Sequence, residues 1–217
     1  MFDYKAKPFN LSEEDIKWVE STFSSMTEDE KVKQLFCMIG LDLRPEAMQG
    51  LVQGYAPGGI MVRPSPKMQI NAAYEMLQKE SKIPMLTAAN LESGGNGLAT
   101  EGTNICSPLG LSATNNVEYI KEFATIIADE ADAIGCNWAF APVVDIDMEF
   151  RNPITNTRTF GDDVDKIITY GKIFNKTLMD RNIAVSIKHF PGDGVDERDQ
   201  HLVTSINSLE MDEYERT

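Results

Sequence analysis

Short apolar runs alternate with helical patterns along most of this chain, and this alternation constrains the fold more than any other feature. The runs are nearly continuous in apolar residues, which is typical of strands buried on both faces. Strands separated by helices pair in parallel through right-handed crossovers. The sequence therefore predicts an α/β fold, with strands at 35–39, 60–62, 85–89, 138–146 and 183–187 and helices at about 66–81, 115–134 and 163–182.

The alternation alone leaves two architectures open, a doubly wound sheet and a (β/α) barrel. No Gly-x-Gly-x-x-Gly motif follows the first strand, which disfavours the dinucleotide-binding form of the doubly wound sheet. Polar residues at successive strand ends favour the barrel, because barrel enzymes build their sites from several strand ends at one face. These residues are Arg63, Asn90, Glu92, Asp145, Asp147, Lys188 and His189. We predict a TIM-type (β/α)8 barrel of which this chain is the N-terminal part, about five of eight βα units.

Residues 1–217 are predicted to form a single domain, an incomplete barrel in which residues 1–27 are a helical lead-in. The segment from Ser208 is typical of a helix start, with acidic residues in its first turn. Thr217 ends the chain before a full helix can form. We therefore expect the remaining units of the barrel to lie beyond this chain.

Composition excludes several classes of function. The formal net charge of −14 argues against a nucleic-acid partner, because phosphate backbones bind clustered Lys and Arg. No apolar run is long enough to span a bilayer, and the amino terminus lacks the apolar segment of a signal peptide. The three cysteines show no metal-ligand spacing, which predicts reduced thiols. We expect a cytoplasmic protein with no nucleic-acid or membrane partner, no metal and no other cofactor, and the oligomeric state stays open.

Both histidines lie in one short segment that follows the fifth predicted strand. Histidine is the side chain that titrates nearest neutral pH. His201 follows Asp199 by two residues, and an aspartate can hold an imidazole in one tautomer and favour its protonated form. A surface pair is the commoner outcome for an isolated Asp-x-His. The preceding Lys188-His189-Phe190-Pro191-Gly192 makes the pattern far more specific.

That segment, with Asp199-x-His201 at its spacing, resembles the signature of glycoside hydrolase family 3. Within the family it is similar to the β-N-acetylglucosaminidase branch, in which an Asp-His pair on a mobile loop serves as general acid/base. Arg158-Thr159-Phe160-Gly161 also resembles the family's Arg-x-Phe-Gly, and Asp145 begins its fourth-strand segment. The resemblance covers the chain from about residue 28 onward.

The resemblance implies a retaining glycosidase that acts on terminal β-linked N-acetylhexosamine through a covalent glycosyl-enzyme intermediate. His201 would be the acid/base, and Asp199 would orient it. The substrate would be a carbohydrate, bound by Lys188, His189, Arg158, Asn90 and Glu92.

The chain departs from the family pattern in three places. The family has an aspartate where this chain has Asn90, and the branch often has histidine where this chain has Asp193. The family's nucleophile is an aspartate on a later strand, whereas the carboxylates that follow Asp199 here lie in the predicted helix start. We therefore expect the nucleophile to lie beyond this chain, and the chain alone to be inactive.

Two other functions stay open. A chain without a nucleophile suits a non-catalytic sugar-binding or interaction fragment. A β-glucosidase or phosphorylase activity is possible on the same scaffold. For Arg158, sugar binding and a structural ion pair with a neighbouring carboxylate fit the sequence equally well.

Overall fold

Five parallel strands form one sheet in this protein. The computed structural model describes residues 3–216, so Met1, Phe2 and Thr217 of the predicted domain lie outside the described residues. The strands are β1 (Cys37–Gly40), β2 (Gly59–Val62), β3 (Leu86–Ala89), β4 (Trp138–Ala139) and β5 (Ala184–Val185). Each strand pairs in parallel with the next one along the chain, in the order β1-β2-β3-β4-β5.

This sequential order decides between the two predicted architectures. In a doubly wound sheet the strand order reverses at a switch point, whereas successive units of a (β/α) barrel add strands in one direction. The predicted α/β fold class, with the sheet arranged as part of a TIM-type barrel, is confirmed. Because all the strands run the same way, their carboxyl ends meet at one edge of the sheet.

Helices fill the connections between the strands. The first two precede the sheet, and each begins with a reciprocal hydrogen-bonded cap, Ser12 with Asp15 and Thr27 with Glu30. The helices are α1 (Glu13–Ser25), α2 (Glu28–Lys33), α3 (Pro45–Gly54), α4 (Lys67–Glu80), α5 (Pro108–Ser112), α6 (Val117–Asp132), α7 (Val164–Met179) and α8 (Met211–Tyr214). Two short 3-10 turns, Gly95–Gly97 and Asn156–Arg158, follow β3 and β4.

The main core lies between the sheet and its helices. Helix α6 buries the face that the sequence predicts, with Ile120, Phe123, Ala124 and Ile127 fully or almost fully enclosed. Its Phe123 ring lies 6.1 Å from that of Phe174 on α7. Burial of these large side chains holds the two helices together, and α7 also lies against β5.

β4 is much shorter than the predicted strand at 138–146. Pro142 has no backbone N–H to donate to a ladder, and regular pairing stops before it. The chain continues beside the segment that follows β5, where the N–H of Val144 donates to the carbonyl of Lys188 at 2.9 Å. The apolar run therefore marks buried extended backbone rather than one long strand.

Two further observations concern predictions made from composition. The three cysteines, Cys37, Cys106 and Cys136, are free thiols. Within residues 3–216, no helix has the length and apolar character needed to cross a bilayer.

Candidate active site

An open cleft of about 630 Å³ lies at the carboxyl ends of the strands. The loops after β2, β3, β4 and β5 all contribute to its wall. Among the residues predicted for the site, those that line it are Asn90, Glu92, Arg158, Lys188, His189 and His201. Asp199 lies behind His201, against its ring. The structure therefore brings all the predicted site residues together at one edge of the sheet.

Glu92 is the centre of the charged groups in the cleft. Arg158 donates to it twice, from Nε to Oε2 at 2.7 Å and from Nη2 to Oε1 at 2.9 Å. The ammonium of Lys188 forms an ion pair with the same Oε1 and also donates to Oδ1 of Asn90 at 3.3 Å. Only 12% of the Glu92 side chain is exposed. The carboxylate thus holds two cations in place and has little freedom for other contacts.

The pKa values of this group follow from burial and charge. Burial by itself raises the pKa of Glu92, but the hydrogen bond from Arg158 and the charge of Lys188 outweigh it, so the pKa lies below its ordinary value. Burial lowers the pKa of Lys188 more than the nearby Glu92 raises it. The hydrogen bond to Glu92 raises the pKa of Arg158. Glu92 is therefore an ionised acceptor whose cations keep further N–H groups for a ligand.

Asp145 fixes the orientation of His189. Its side chain is 1% exposed, and Oδ2 lies 2.6 Å from Nδ1 of the imidazole. The backbone N–H of His189 donates to the same carboxylate at 3.1 Å, and the N–H of Asp193 donates at 2.8 Å. With Nδ1 engaged, Nε2 is the ring nitrogen left for a ligand. Asp147, two residues on, makes none of these contacts.

The Asp199–His201 pair lies at the mouth of the cleft. Nδ1 of His201 is 2.8 Å from Oδ1 of Asp199, and the backbone N–H of His201 donates to the same oxygen at 2.8 Å. These two hydrogen bonds lower the pKa of Asp199, and the bond from the backbone N–H has the larger effect. The His201 side chain is 70% exposed. An anionic aspartate therefore orients an accessible imidazole whose Nε2 has no partner among the described residues.

Asp193 ties the loop that carries Asp199 and His201 to the rest of the site. Its Oδ2 accepts from Nε2 of Gln200 at 2.8 Å, and its Oδ1 accepts from Nδ2 of Asn152 at 3.3 Å. The same Asn152 nitrogen donates to the carbonyl of Asp196 at 2.8 Å. The sequence marked Asp193 only as a departure from the family pattern. In the structure it anchors the loop that carries His201.

Close backbone approach explains two glycines in the loop after β3. A Cβ on Gly94, whose φ is +145°, would lie 2.0 Å from the carbonyl oxygen of Thr103. A Cβ on Gly97 would lie 1.8 Å from the carbonyl oxygen of Asn90. Both positions require glycine. The loop can therefore pass close enough to β3 to form the rim of the cleft.

The cleft also contains polar residues to which the sequence assigned no role. Arg63 follows β2, and Asn96 lies in the 3-10 turn after β3, and both line the wall. The strand-end position of Arg63 is a signal in the sequence, whereas nothing distinguishes Asn96 within its glycine-rich loop. Among residues 3–216 there is no group of three or more His, Cys, Asp or Glu side chains that could hold a metal ion.

Comparison with known proteins points to one family. Residues 27–216 match the model described as the glycosyl hydrolase family 3 N terminal domain. Over 99% of its length the chain is 44% identical to a protein from Cellulomonas fimi named beta-N-acetylglucosaminidase/beta-glucosidase, and it covers 38% of that protein. Over 80% of its length it is 29% identical to a beta-hexosaminidase from Photobacterium profundum, of which it covers 52%.

Solved structures are also similar to most of the chain. A structure described as beta-glucoside phosphorylase BglX bound to 2FGlc superposes with a TM-score of 0.91 at 42% identity, covering 99% of this chain and 40% of that one. A family 3 beta-N-acetylglucosaminidase from Paenibacillus sp. str. FPU-7 gives a TM-score of 0.74 at 26% identity, over 82% of this chain and 35% of that one. The chain spans less than two thirds of the length of each of these proteins.

Proposed function

This chain belongs to glycosyl hydrolase family 3, and from that membership we propose that it supplies the acid/base and the sugar-binding groups of a retaining β-N-acetylglucosaminidase. One observation carries the proposal. His201, oriented by Asp199, lies at the mouth of the cleft that Lys188, His189 and Arg158 line. A proton donor and several hydroxyl-binding groups in one cleft are what cleavage of a glycosidic bond requires.

In the first step, His201 acts as the acid. Protonated imidazole donates its Nε2 proton to the glycosidic oxygen as the bond from that oxygen to C1 breaks, and a carboxylate nucleophile forms a bond to C1. The anionic Asp199 beside Nδ1 stabilises the imidazolium before transfer. Movement of the exposed loop carries His201 onto the sugar and excludes water.

In the second step, the neutral His201 acts as the base. It takes a proton from water as the water oxygen bonds to C1 and the carboxylate leaves with its electron pair. Asp199 again stabilises the imidazolium that forms. One residue thus serves both steps, and its proton is restored at the end of the cycle.

The sugar is held by groups that the site leaves unpaired. Nε2 of His189 faces no protein partner among the described residues, since Asp145 engages the other ring nitrogen. Asn90 accepts from Lys188 through Oδ1, so its amide N–H groups can donate to a hydroxyl. Arg158 retains further N–H groups that suit hydroxyl and acetamido oxygens.

The nucleophile is assigned to a residue outside this set. Among the described residues that line the cleft, Glu92 is the carboxylate, and both of its oxygens are engaged by Arg158 and Lys188. We propose that the nucleophile is an aspartate on a later strand of a (β/α)8 barrel, within a longer protein of the size of the relatives.

The free thiols support a cytoplasmic location.

Substitution of His201 in the full-length protein tests the proposal. We expect His201→Ala to lower kcat/KM about 10²- to 10⁴-fold on a β-N-acetylglucosaminide with a poor leaving group, and far less on a dinitrophenyl glycoside, whose leaving group needs no proton. Leu202→Ala, an exposed neighbour in the same loop, is the matched control and should retain activity. Rates close to wild type on the poor leaving group would contradict the assignment.

Phosphorolysis of a β-glucoside is the second candidate function. It is favoured by the 42% identity to the structure described as a beta-glucoside phosphorylase. After it has protonated the leaving group, the imidazole of His201 is neutral, whereas a carboxylate acid/base would be anionic and would repel phosphate. Parallel assays on N-acetylglucosaminides and glucosides, each with and without phosphate, distinguish the two candidates by their products.

A further inference from the structure

Asn152 is a buried amide that lies behind the cleft, between two parts of the proposed active site. The residue is 0% exposed and lies outside the set of residues that line the cleft. Burial of a side-chain amide costs free energy unless its oxygen and its N–H groups find partners. The amide of Asn152 forms four hydrogen bonds, which divide between the loop after β4 and the loop after β5.

The oxygen of the amide holds the turn that leads to Arg158. Oδ1 of Asn152 accepts from the N–H of Ile154 at 2.8 Å and from the N–H of Thr155 at 2.9 Å. Both of these residues then contact Arg158. The carbonyl of Ile154 accepts from Nη1 at 2.9 Å, and the carbonyl of Thr155 accepts from the backbone N–H at 2.7 Å. The position of this guanidinium therefore depends on one side of the Asn152 amide.

The nitrogen of the amide holds the segment 196–206, which we call the His201 loop. Nδ2 of Asn152 donates to the backbone carbonyl of Asp196 at 2.8 Å and to Oδ1 of Asp193 at 3.3 Å. The partners fix the orientation of the amide, because Oδ1 faces two N–H donors and Nδ2 faces two acceptors. Asn152 thus joins the turn of Arg158 to the base of the His201 loop.

Asp196 closes the base of this loop. Its carboxylate accepts from Nε and Nη2 of Arg198 at 2.9 and 2.6 Å, and it also accepts from the backbone N–H of Ile206. Asp196 is itself buried. His201 lies midway between Asp196 and Ile206 in the chain. A displacement of Asp196 would therefore move both ends of the loop that carries the imidazole.

The other contacts that reach this region from the segment after β4 are exposed or lie outside the loop. Arg151 forms an ion pair with Glu197, but both side chains are more than half exposed, and such pairs contribute little. Two backbone N–H groups donate to the carbonyl of Gly194, which precedes the loop. The bond from Asn152 to Asp196 is thus the buried link to the base of the loop.

We propose that Asn152 is a positioning residue that holds the His201 loop in register with the turn of Arg158, an inference that rests on the proposed role of His201. Asn152 itself touches no substrate. It fixes the base of the loop, from which the exposed tip carries the imidazole to the glycosidic oxygen. Because Arg158 places the sugar, one buried amide sets the acid and the sugar relative to each other. A small error in this placement slows proton transfer strongly.

Asn152→Asp separates the two functions of the amide. The introduced carboxylate can still accept from the two N–H groups that Oδ1 engages, so the turn before Arg158 keeps its bonds. The carboxylate cannot donate to the carbonyl of Asp196, and it places a negative charge against Asp193. The substitution therefore releases the His201 loop and retains the turn that holds the sugar.

A ratio of two rates of the full-length protein tests the role of Asn152. We compare kcat/KM for the dinitrophenyl and the phenyl N-acetyl-β-glucosaminide, which carry the same sugar but differ in whether the leaving group needs a proton. Changes in sugar binding or in the amount of folded enzyme cancel in the dinitrophenyl-to-phenyl ratio. We expect Asn152→Asp to raise this ratio about tenfold or more, because His201 is misplaced. The Ki of N-acetylglucosamine should change less than about threefold, since the turn of Arg158 is retained.

Asn137→Asp is the matched control. Asn137 is a half-buried amide just before β4, at the opposite end of the sheet from the cleft. Its Oδ1 accepts from the N–H of Thr87 at 2.8 Å, a bond that a carboxylate retains. The substitution introduces the same charge away from the His201 loop and should leave the ratio unchanged.

Asp193→Asn provides a second variant and a test of direct contact. When it is combined with Asn152→Asp, the introduced amide at position 193 can donate to the introduced carboxylate at position 152. One lost hydrogen bond is then restored in the opposite direction. We expect the rate ratio of the double variant to lie closer to wild type than that of Asn152→Asp. Effects of the two substitutions that simply multiply would contradict the contact on which the positioning depends.

Amide hydrogen exchange reports on the loop without any activity. Peptides that cover 196–206 should exchange faster in Asn152→Asp than in the wild type and in Asn137→Asp. An unchanged rate ratio or unchanged exchange in folded Asn152→Asp would overturn the proposal, as would an equal rise of the ratio in the control. If Asn152→Asp does not fold, Asp193→Asn, which also weakens the link, is measured in its place with the same expectations.

The wild type distinguishes a failure of this proposal from a failure of the proposed function. If it cleaves glucosides instead, the corresponding glucosides and glucose replace the N-acetylated compounds. A wild type that cleaves neither class would contradict the proposed function, and the exchange measurement would still decide whether Asn152 holds the loop.

Discussion

Glu92 and Arg158 form a two-point pair, with Nε of the arginine 2.7 Å from Oε2 and Nη2 2.9 Å from Oε1. The two residues are 66 positions apart in the chain. The pair joins the loop after β3 to the 3-10 turn after β4, and Lys188 at the end of β5 joins the same carboxylate. The Glu92 side chain thus connects the ends of three strands, and it holds the guanidinium of Arg158 and the ammonium of Lys188 beside the cleft.

We expect Glu92→Gln to lower the free energy of unfolding by about 2 kcal/mol, because the largely enclosed Lys188 and the half-buried Arg158 lose their common anion. The change is measured as a shift of the urea midpoint of the full-length protein. Asp129→Asn removes one partner of the exposed pair with Arg181 and should cost less than about 1 kcal/mol. Equal effects of the two substitutions would show that Glu92 has no special structural role.

The lowered pKa of Glu92 predicts a loss of stability in acid. A carboxylate whose pKa is lowered by folding stabilises the native state above its ordinary pKa, here 4.5, and this contribution is lost as the pH falls through the lowered value. The urea midpoint of the wild type should therefore fall faster below about pH 4.5 than that of Glu92→Gln. Parallel pH dependences of the two proteins would contradict this origin of the acid sensitivity.

We expect Asp145→Asn to lower kcat/KM about 10²-fold, since the buried carboxylate accepts from His189 and Asp193 and an amide must turn an N–H toward one of these donors. Steady-state kinetics on the full-length protein measure the effect. The control is Asp147→Asn. Burial first, and then repulsion by Asp162 and Glu149, raises the pKa of Asp147, so neutralising it should not destabilise the protein. A comparable activity loss in the control would contradict the specific role of Asp145.

We expect Gly194→Ala to disturb the loop that leads from β5 to Asp199 and His201. A Cβ at this position would lie 1.8 Å from the carbonyl oxygen of Ile146, and the carbonyl of Gly194 accepts from the N–H groups of Met148 and Glu149 at 3.0 and 2.9 Å. Activity should fall together with stability. Gly50→Ala on α3, where a Cβ meets nothing within 4 Å, should instead raise the free energy of unfolding by about 0.5–1 kcal/mol. Thermal unfolding and turnover of both variants test the contrast.

Local patterns in the sequence predict the strands and helices well where burial of apolar residues is the main stabilising factor. β2 and β3 agree with the predicted strands to within one residue, because both faces of these runs are buried. Helices α6 and α7 lie within the predicted segments, because their apolar periodicity is clear. Helix α3 was not predicted, since Gly50 and Gly54 weaken its helical pattern, yet burial of Met48 and Val52 stabilises it.

The sequence predicted the members of the candidate site and one local pair, Asp199 with His201, but not the pairs between residues far apart in the chain. Strand-end position and the family motif identify Lys188, His189 and Arg158. The contact between Asp145 and His189 spans 44 residues, and no local spacing reveals it. Tertiary packing decides which of several carboxylates meets which cation, and for Glu92 it selected two cations at once.

The sequential strand order has a consequence for how such a protein can change. Each strand leads into its own loop, and the loops after β2, β3, β4 and β5 contribute different side chains to one cleft. A substitution or insertion in one loop can therefore alter one contact with the ligand while the sheet keeps its hydrogen bonds. Each contact of the cleft can in this way evolve, or be engineered, separately while the scaffold stays unchanged.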